Sequence, residues 1–393
     1  MKAAIGISVG VFILVVIGVG LLAYLNRPIT KEAVNKKIEK RLTKILEKND
    51  SLSSVLLTIH SGESGYFAQF AAGTKNHLSN QPAKVDSQYH SASVGKTMCA
   101  ALVGMLVDEG KIGYDDKINT WLEDDILKGL FVLGGKDYSD GVTVQQLLNH
   151  TSGVGDYFEG PVKNGQTMLE LITSNPDLSF TPQSLLAFTR ENQEAVGRPG
   201  QQFYYSDTGY ILLGLILEAI EGKRYSDILE EKLFEPLGMQ DSYLMFYNDS
   251  QADILGVYVN GVDFSDKKAL SVDWAGGGVV TTMNDILTFM RALEAGKILS
   301  DEAYKQMTDF TQRYDKGIYY GMGMMYFDFS EISFLLGSMT DVYGATGATG
   351  TYALYDKKKD TFYIANFGSL GFAEEGIKQL VQIKMIYDRM KVE

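Results

Sequence analysis

The sequence predicts an α+β protein, an α/β sandwich. One antiparallel sheet is built from N- and C-terminal segments and flanked by helices, with a mostly helical subdomain inserted within roughly residues 115–300. Three observations predict it. Strand-like segments lie near both ends, SLSSVLLTIH and GYFAQFAAG early, GMGMMYFDF and GTYALYDKKKDTFYIANFG late. Between them the apolar stretches repeat with helical spacing. Ahead of everything runs an uncharged stretch at residues 3–25, AAIGISVGVFILVVIGVGLLAYL.

That first stretch covers 23 positions. As a helix it would be about 34 Å long, enough for a bilayer core of about 30 Å. A cleavable signal has a shorter apolar core and a small-residue cleavage site, and neither is visible here. Residues 1–29 therefore read as a single transmembrane anchor and residues 30–393 as one folded domain. Arg27, Lys31, Lys36 and Lys37 follow the anchor, which on a literal charge count would hold the domain inside the cell. That rule is weak for long domains, so the side must follow from function.

KEAVNKKIEKRLTKILEKND places Val34, Ile38, Leu42, Ile45 and Leu46 on one helical face. The next two segments form a strand pair around the turn SGESG. KTMCAALVGMLVDEGKI reads as a strong helix with Met98, Ala101, Leu102, Met105 and Leu106 inward, stopping at Gly110. VTVQQLLNH, SLLAFTRENQEAV, GYILLGLILEAIEG, YSDILEEKLFEPLG and MNDILTFMRALEAG supply the inserted helices, and GFAEEGIKQLVQIKMIYDRM closes the chain as a helix.

Composition narrows the function. A net charge of −13 argues against nucleic acid, whose binders carry basic patches. The single cysteine, Cys99, excludes a disulfide framework and a cysteine-rich metal site, and reads as a small core residue. The four histidines, 60, 77, 90 and 150, show no metal-ligand spacing, so no metal and no cofactor are expected.

The chemistry begins at HSASVGKTM, residues 90–98, where Ser93 and Lys96 stand three apart. With 26 Ser and 28 Lys in the chain, chance alone gives roughly two Ser-x-x-Lys matches, and two are present. Context separates them. Ser93 opens an apolar helix, where the dipole stabilises a developing anion and Lys96 lies one turn on. Desolvation there should depress the lysine pKa, which an activated nucleophile needs. Ser265 and Lys268 lie in a polar turn and look incidental.

The block SASVGKTMCAALVGMLVDEGKIGYDDKINTWL resembles the nucleophile helix of the serine β-lactamase and penicillin-binding protein superfamily. The class C branch, which contains DD-peptidases and esterases, is the most similar. VTVQQLLNHTSG, RPGQQFYYSDTGY, AGGGVVTTMNDIL and YGATGATGTY match its later signatures in order, so the likeness covers roughly residues 30–390. It implies Ser93 as nucleophile, with Lys96 and Tyr205 sharing its proton. Tyr-Ser-Asp occurs at 138, 205 and 225, but only Tyr205 sits between the matching flanks. The resemblance also implies an oxyanion hole from the Ser93 and Ala348 N–H groups, beside Thr346 and Gly347.

Two departures bear on substrate. Ala345 stands where the family carries a cation on an edge strand, a side chain that helps bind a substrate carboxylate. Asp207 stands where many relatives have Asn, adding negative charge. Both point to a substrate that lacks a carboxylate and carries an amine. The expectation is a membrane-anchored serine hydrolase of the bacterial envelope, facing outward, that removes D-alanyl esters from teichoic acid. Alternatives are a DD-carboxypeptidase or β-lactamase acting on peptidoglycan or its mimics, a general esterase, and an inactive envelope-binding scaffold. If Asp207 pairs with Lys96 instead, it raises the lysine pKa and leaves charge selection unexplained. His150 is expected to fix a loop, Trp274 to line the pocket or pack beneath it, and Asp115, Asp116, Asp124 and Asp125 to cap helices or face water. The glycine runs at 276–278 and 344–350 are expected to mark close backbone approach around a substrate.

Overall fold

The computed structural model describes residues 27–247 and 253–391. The uncharged run at residues 3–25 lies outside the described residues; among those described, no helix is long and apolar enough to cross a membrane.

An eight-stranded antiparallel sheet organises the molecule, in the order β3-β4-β5-β6-β7-β8-β1-β2. The early hairpin, β1 (Ser54–Ser61) and β2 (Phe67–Gly73), joins the last strand, β8 (Thr361–Asn366), with Leu56 opposite Asn366. The others are β3 (Gln312–Asp315), β4 (Ile318–Tyr320), β5 (Met325–Phe327), β6 (Val342–Thr346) and β7 (Tyr352–Asp356). Sequence ends thus meet in one sheet, as expected. The short strands β3 and β4, QRYD and IYY, escape sequence reading because three or four residues cannot show a period.

Helices cover both faces, so the central strands are buried on both sides and read as continuous apolar runs. Along β1, Val55, Leu57 and Ile59 join one core with Val34, Ile38 and Leu42 of α1 (Lys31–Lys48). Leu380 and Ile383 of the closing helix, Ala373–Tyr387, belong to the same core. Leu56 faces the opposite, larger core. Under the first core lies an ion pair fully removed from water: Lys384 donates to Asp356 at 2.5 Å, and Thr340 donates to the same carboxylate.

In the second core sits α2 (Gly95–Asp108), expected to turn one face inward but buried nearly all round, Thr97, Cys99, Ala100 and Val103 included. A helix apolar on every side belongs in an interior. It packs against α3 (Asp207–Glu221) and the glycine turn Trp274–Gly277. The inserted region is mostly helical, with short strands that close a three-stranded sheet of Tyr89–His90, Val279–Thr281 and Tyr243–Leu244. This small sheet holds the chain just before Ser93: Tyr89 pairs with Thr281 and His90 with Val280.

Candidate active site

Ser93 occupies a single 3-10 turn, Ala92–Val94, that leads into α2. Its neighbour Ala92 has φ of +47°, a left-handed conformation costly for a residue with a Cβ. The surroundings enforce it. A Cβ on Gly277 would lie 2.7 Å from the Ala92 carbonyl, and one on Gly95 would lie 3.0 Å from Gly277 Cα. The glycine run at 276–278 therefore allows close approach, but to the nucleophile turn rather than around a substrate.

Lys96 reaches back one helical turn and donates to Ser93 Oγ at 3.1 Å. Its other donors go to Gly276 O at 2.6 Å and to the Asp207 carboxylate. Three N–H groups meet three acceptors, which is the inventory of an ammonium rather than an amine. The charge balance agrees. Burial pushes the Lys96 pKa down, but the Asp207 charge and hydrogen bond outweigh it, and the net direction is up. The lysine depressed by desolvation, expected from its apolar helix, is thus overturned by one carboxylate from α3.

Tyr205 lies beside Lys96, with its ring centroid 5.2 Å from Lys96 Nζ. Burial holds its phenol well above the usual range, Asp207 adds to this, and a hydrogen bond with Ser93 opposes it. His150 fixes this loop: Nδ1 accepts from Ser206 N at 3.1 Å, its carbonyl accepts from Tyr204 N, and its ring lies 4.2 Å from that of Tyr205. The other two Tyr-Ser-Asp copies are elsewhere. Tyr138 lies beneath Arg198, and Tyr225 packs on Trp274.

The structure gathers the remaining residues singled out by sequence into one cavity of about 370 Å³, lined by Ser93, Tyr205, Asp207, Thr346, Gly347 and Ala348. Gly347 lies so close to the nucleophile turn that a Cβ there would sit 2.8 Å from Ala92 Cβ and 3.2 Å from Ser93 N. Strand β6, expected at a sheet edge, is interior. However, β5 pairs with it only from Val342 to Gly344, so Ala345 and Thr346 run past the end of their neighbour. Ala345 itself is buried. Ser265 is buried and Lys268 exposed. Trp274 packs beneath the site among Tyr225 and Tyr247, and Cys99 is buried in the core.

Sequence reading missed a cluster of carboxylates. Asp156, Glu159 and Asp273 line the cavity with Asp207, and among the described residues lining it none is Lys or Arg. Asp156 accepts from the Asp207 N–H at 2.9 Å and from Glu159 N at 2.8 Å. Burial, with Asp207 nearby, pushes both Asp156 and Asp273 up to about 7. Burial likewise raises Glu159. His90 Nε2 lies 3.5 Å from Asp273, yet burial pushes this imidazole down to about 4, so it is neutral at pH 7. No spacing signal joins Asp156 and Glu159 to Asp273, although Asp156 lies four residues after Ser152 in HTSGVGDY and Asp273 two residues before the AGGG run.

The beta-lactamase family model matches residues 38–381. Penicillin-binding protein 4* of Bacillus subtilis (strain 168) is 29% identical over 201 residues, which are 51% of this chain and 40% of that protein. D-aminopeptidase of Brucella anthropi is 22% identical over 69% of this chain and 48% of its own length. The chain thus spans less than half the length of these curated relatives. Among solved structures, D-amino acid amidase from Ochrobactrum anthropi SV3 superposes with a TM-score of 0.72 at 24% identity, covering 89% of this chain and 98% of its own. D-stereospecific amidohydrolase from Streptomyces sp. gives 0.71 at 22%, covering 87% and 97%.

Proposed function

The chain belongs to the beta-lactamase family and is a serine hydrolase, and from that premise we propose that it forms an acyl-enzyme on Ser93 with substrates bearing a free ammonium group, D-alanyl esters of the bacterial envelope foremost. One observation carries the choice: a cavity holding the nucleophile is lined by four carboxylates and by no Lys or Arg among the described residues. A carboxylate substrate would meet repulsion there. Ala345 offers no cation to offset it.

In the form in which Lys96 has lost a proton and is an amine, Ser93 Oγ attacks the ester carbonyl carbon and its proton passes to that amine, directly or by way of the Tyr205 hydroxyl. The Ser93 and Ala348 N–H groups receive the oxyanion, an interaction worth about 3–4 kcal/mol per donor. Collapse returns the proton to the departing alcohol, and water then releases D-alanine. Asp207 was expected to select a cationic substrate. Its charge is instead engaged by Lys96, so selection falls to Asp156, Glu159 and Asp273 on the cavity wall. The D-configuration rests on the relatives whose names specify D-amino acids. D-alanylated teichoic acid fits this chemistry, and an anchor at residues 1–29 with the domain outside the cell would hold the enzyme beside it. The penicillin-binding relative favours a second reading, acylation by D-Ala-D-Ala peptides or β-lactams.

The test is mass spectrometry of the protein and its Ser93→Ala variant with purified D-alanylated teichoic acid, following free D-alanine. Serine-dependent release is expected. No release, together with a stable penicillin adduct on Ser93, would overturn the ester reading. A protein that a fluorophosphonate fails to label would be the inactive scaffold.

A further inference from the structure

A second depression, of about 600 Å³, adjoins the catalytic cavity and shares Tyr314, Met325, Thr346 and Ala373 with it. One wall is a single face of the closing helix, where Ala373, Ile377 and Val381 recur every four residues. The facing wall is the sheet, with Ile318 and Met325 from β4 and β5. Ile332 and Leu336 line the depression as well. Most of these apolar side chains are only partly buried, although they pack on the core beneath. Just outside, Phe334 and Leu335 are 87% and 75% exposed. Apolar surface left open this way marks a binding site more often than a free face.

We infer that this groove is a subsite of the active site that takes an aliphatic chain on the leaving-group side of the ester. The inference rests on the proposed acyl-enzyme reading for the acyl half of the substrate and adds the identity of the other half. Continuity decides the occupant. A substrate whose ammonium faces Asp156 and Glu159 has its alcohol arm free to pass Thr346 and Met325, and beyond those two residues the walls are mainly apolar, edged by the exposed Asp315, Lys316, Glu374, Lys378 and Gln382. A D-alanyl ester of a lipid-linked alcohol would lay its aliphatic chain along Ile318, Ile377 and Val381.

The test uses D-alanine esters of ethyl, hexyl and decyl alcohol, each below its micelle concentration. Two readouts are taken: kcat/KM for the native sequence, and calorimetric affinity for the Ser93→Ala variant, which binds without turnover. Both should rise by about two- to fourfold per added methylene until the groove is filled. In Ile377→Asp and Val381→Asp the ratio of decyl to ethyl ester should fall toward one, a ratio in which any general loss of folded protein cancels. A flat series with the native sequence, or an undiminished ratio in both variants, overturns the groove. If no ester turns over, the proposed activity fails, and the affinity series still decides the groove by the same criterion.

Discussion

Replacing Gly347 by alanine separates the geometry of the anion site from the chemistry of the nucleophile. The new methyl would stand 2.8 Å from Ala92 Cβ, 3.2 Å from Ser91 O and 3.2 Å from Ser93 N. Carbon atoms settle near 3.5–4.0 Å, so the end of β6 must retreat from the nucleophile turn by about 0.7–1 Å. Ala92 cannot yield instead, because its carbonyl is already held against Gly277. A donor at 2.7–3.1 Å from an oxyanion loses most of its value over such a distance. The expected result is a kcat lower by about 10²–10³-fold with KM nearly unchanged. The overpacking itself should cost about 1–3 kcal/mol, a fall of a few degrees in melting temperature for a domain of this size. Steady-state hydrolysis of a D-alanyl ester, read beside a thermal melt, measures both. A variant that melts as the native protein does and keeps its kcat would refute the assignment of Ala348 N–H to the anion site.

Removing the Asp207 charge should move the acid limb of kcat/KM to lower pH. Asp207 holds the Lys96 pKa up, so in Asp207→Asn the amine form appears at lower pH; a limb displaced upward would contradict this. Affinity of the Ser93→Ala protein for D-alaninamide should strengthen by roughly tenfold as pH rises through about 7, because Asp156 and Asp273 gain their charge there. An uncharged analogue should show no such rise, and an equal rise would exclude the carboxylates as its source. The same two groups bind protons more tightly folded than unfolded, so the stability they confer is complete below the unfolded value near 4 and declines as pH climbs through about 7. Finally, Lys384→Met strands Asp356 in the core and should cost about 3–5 kcal/mol in urea unfolding; adding Asp356→Asn should recover most of it, and failure to recover would mean the pair is not the cause.

How much of this was legible in the sequence follows from the range of the forces involved. Local periodicity placed α1, α2, α3 and the closing helix, because a helical face is written every three to four residues. Ser93 and Lys96 were paired from their spacing of three, and in the folded chain Lys96 donates to Ser93 Oγ across the turn that leads into α2. Tyr205 and the Ala345-Thr346-Gly347-Ala348 run came from order along the chain, by resemblance. What lay beyond reach was set by contacts between elements distant in sequence. Burial alone would have discharged Lys96, and only the folded chain brings Asp207 against it. The carboxylates at 156, 159 and 273 carry no common spacing, and become one wall only in the folded chain. Strand β6 was expected at an edge, and β5 covers it just as far as Gly344, opening the place where Thr346 meets the groove. The sequence by itself determined which groups can do the chemistry, since reactivity belongs to residue types and their near neighbours. The tertiary structure decided their charge states and the shape of what they can hold, since electrostatics and packing act through space.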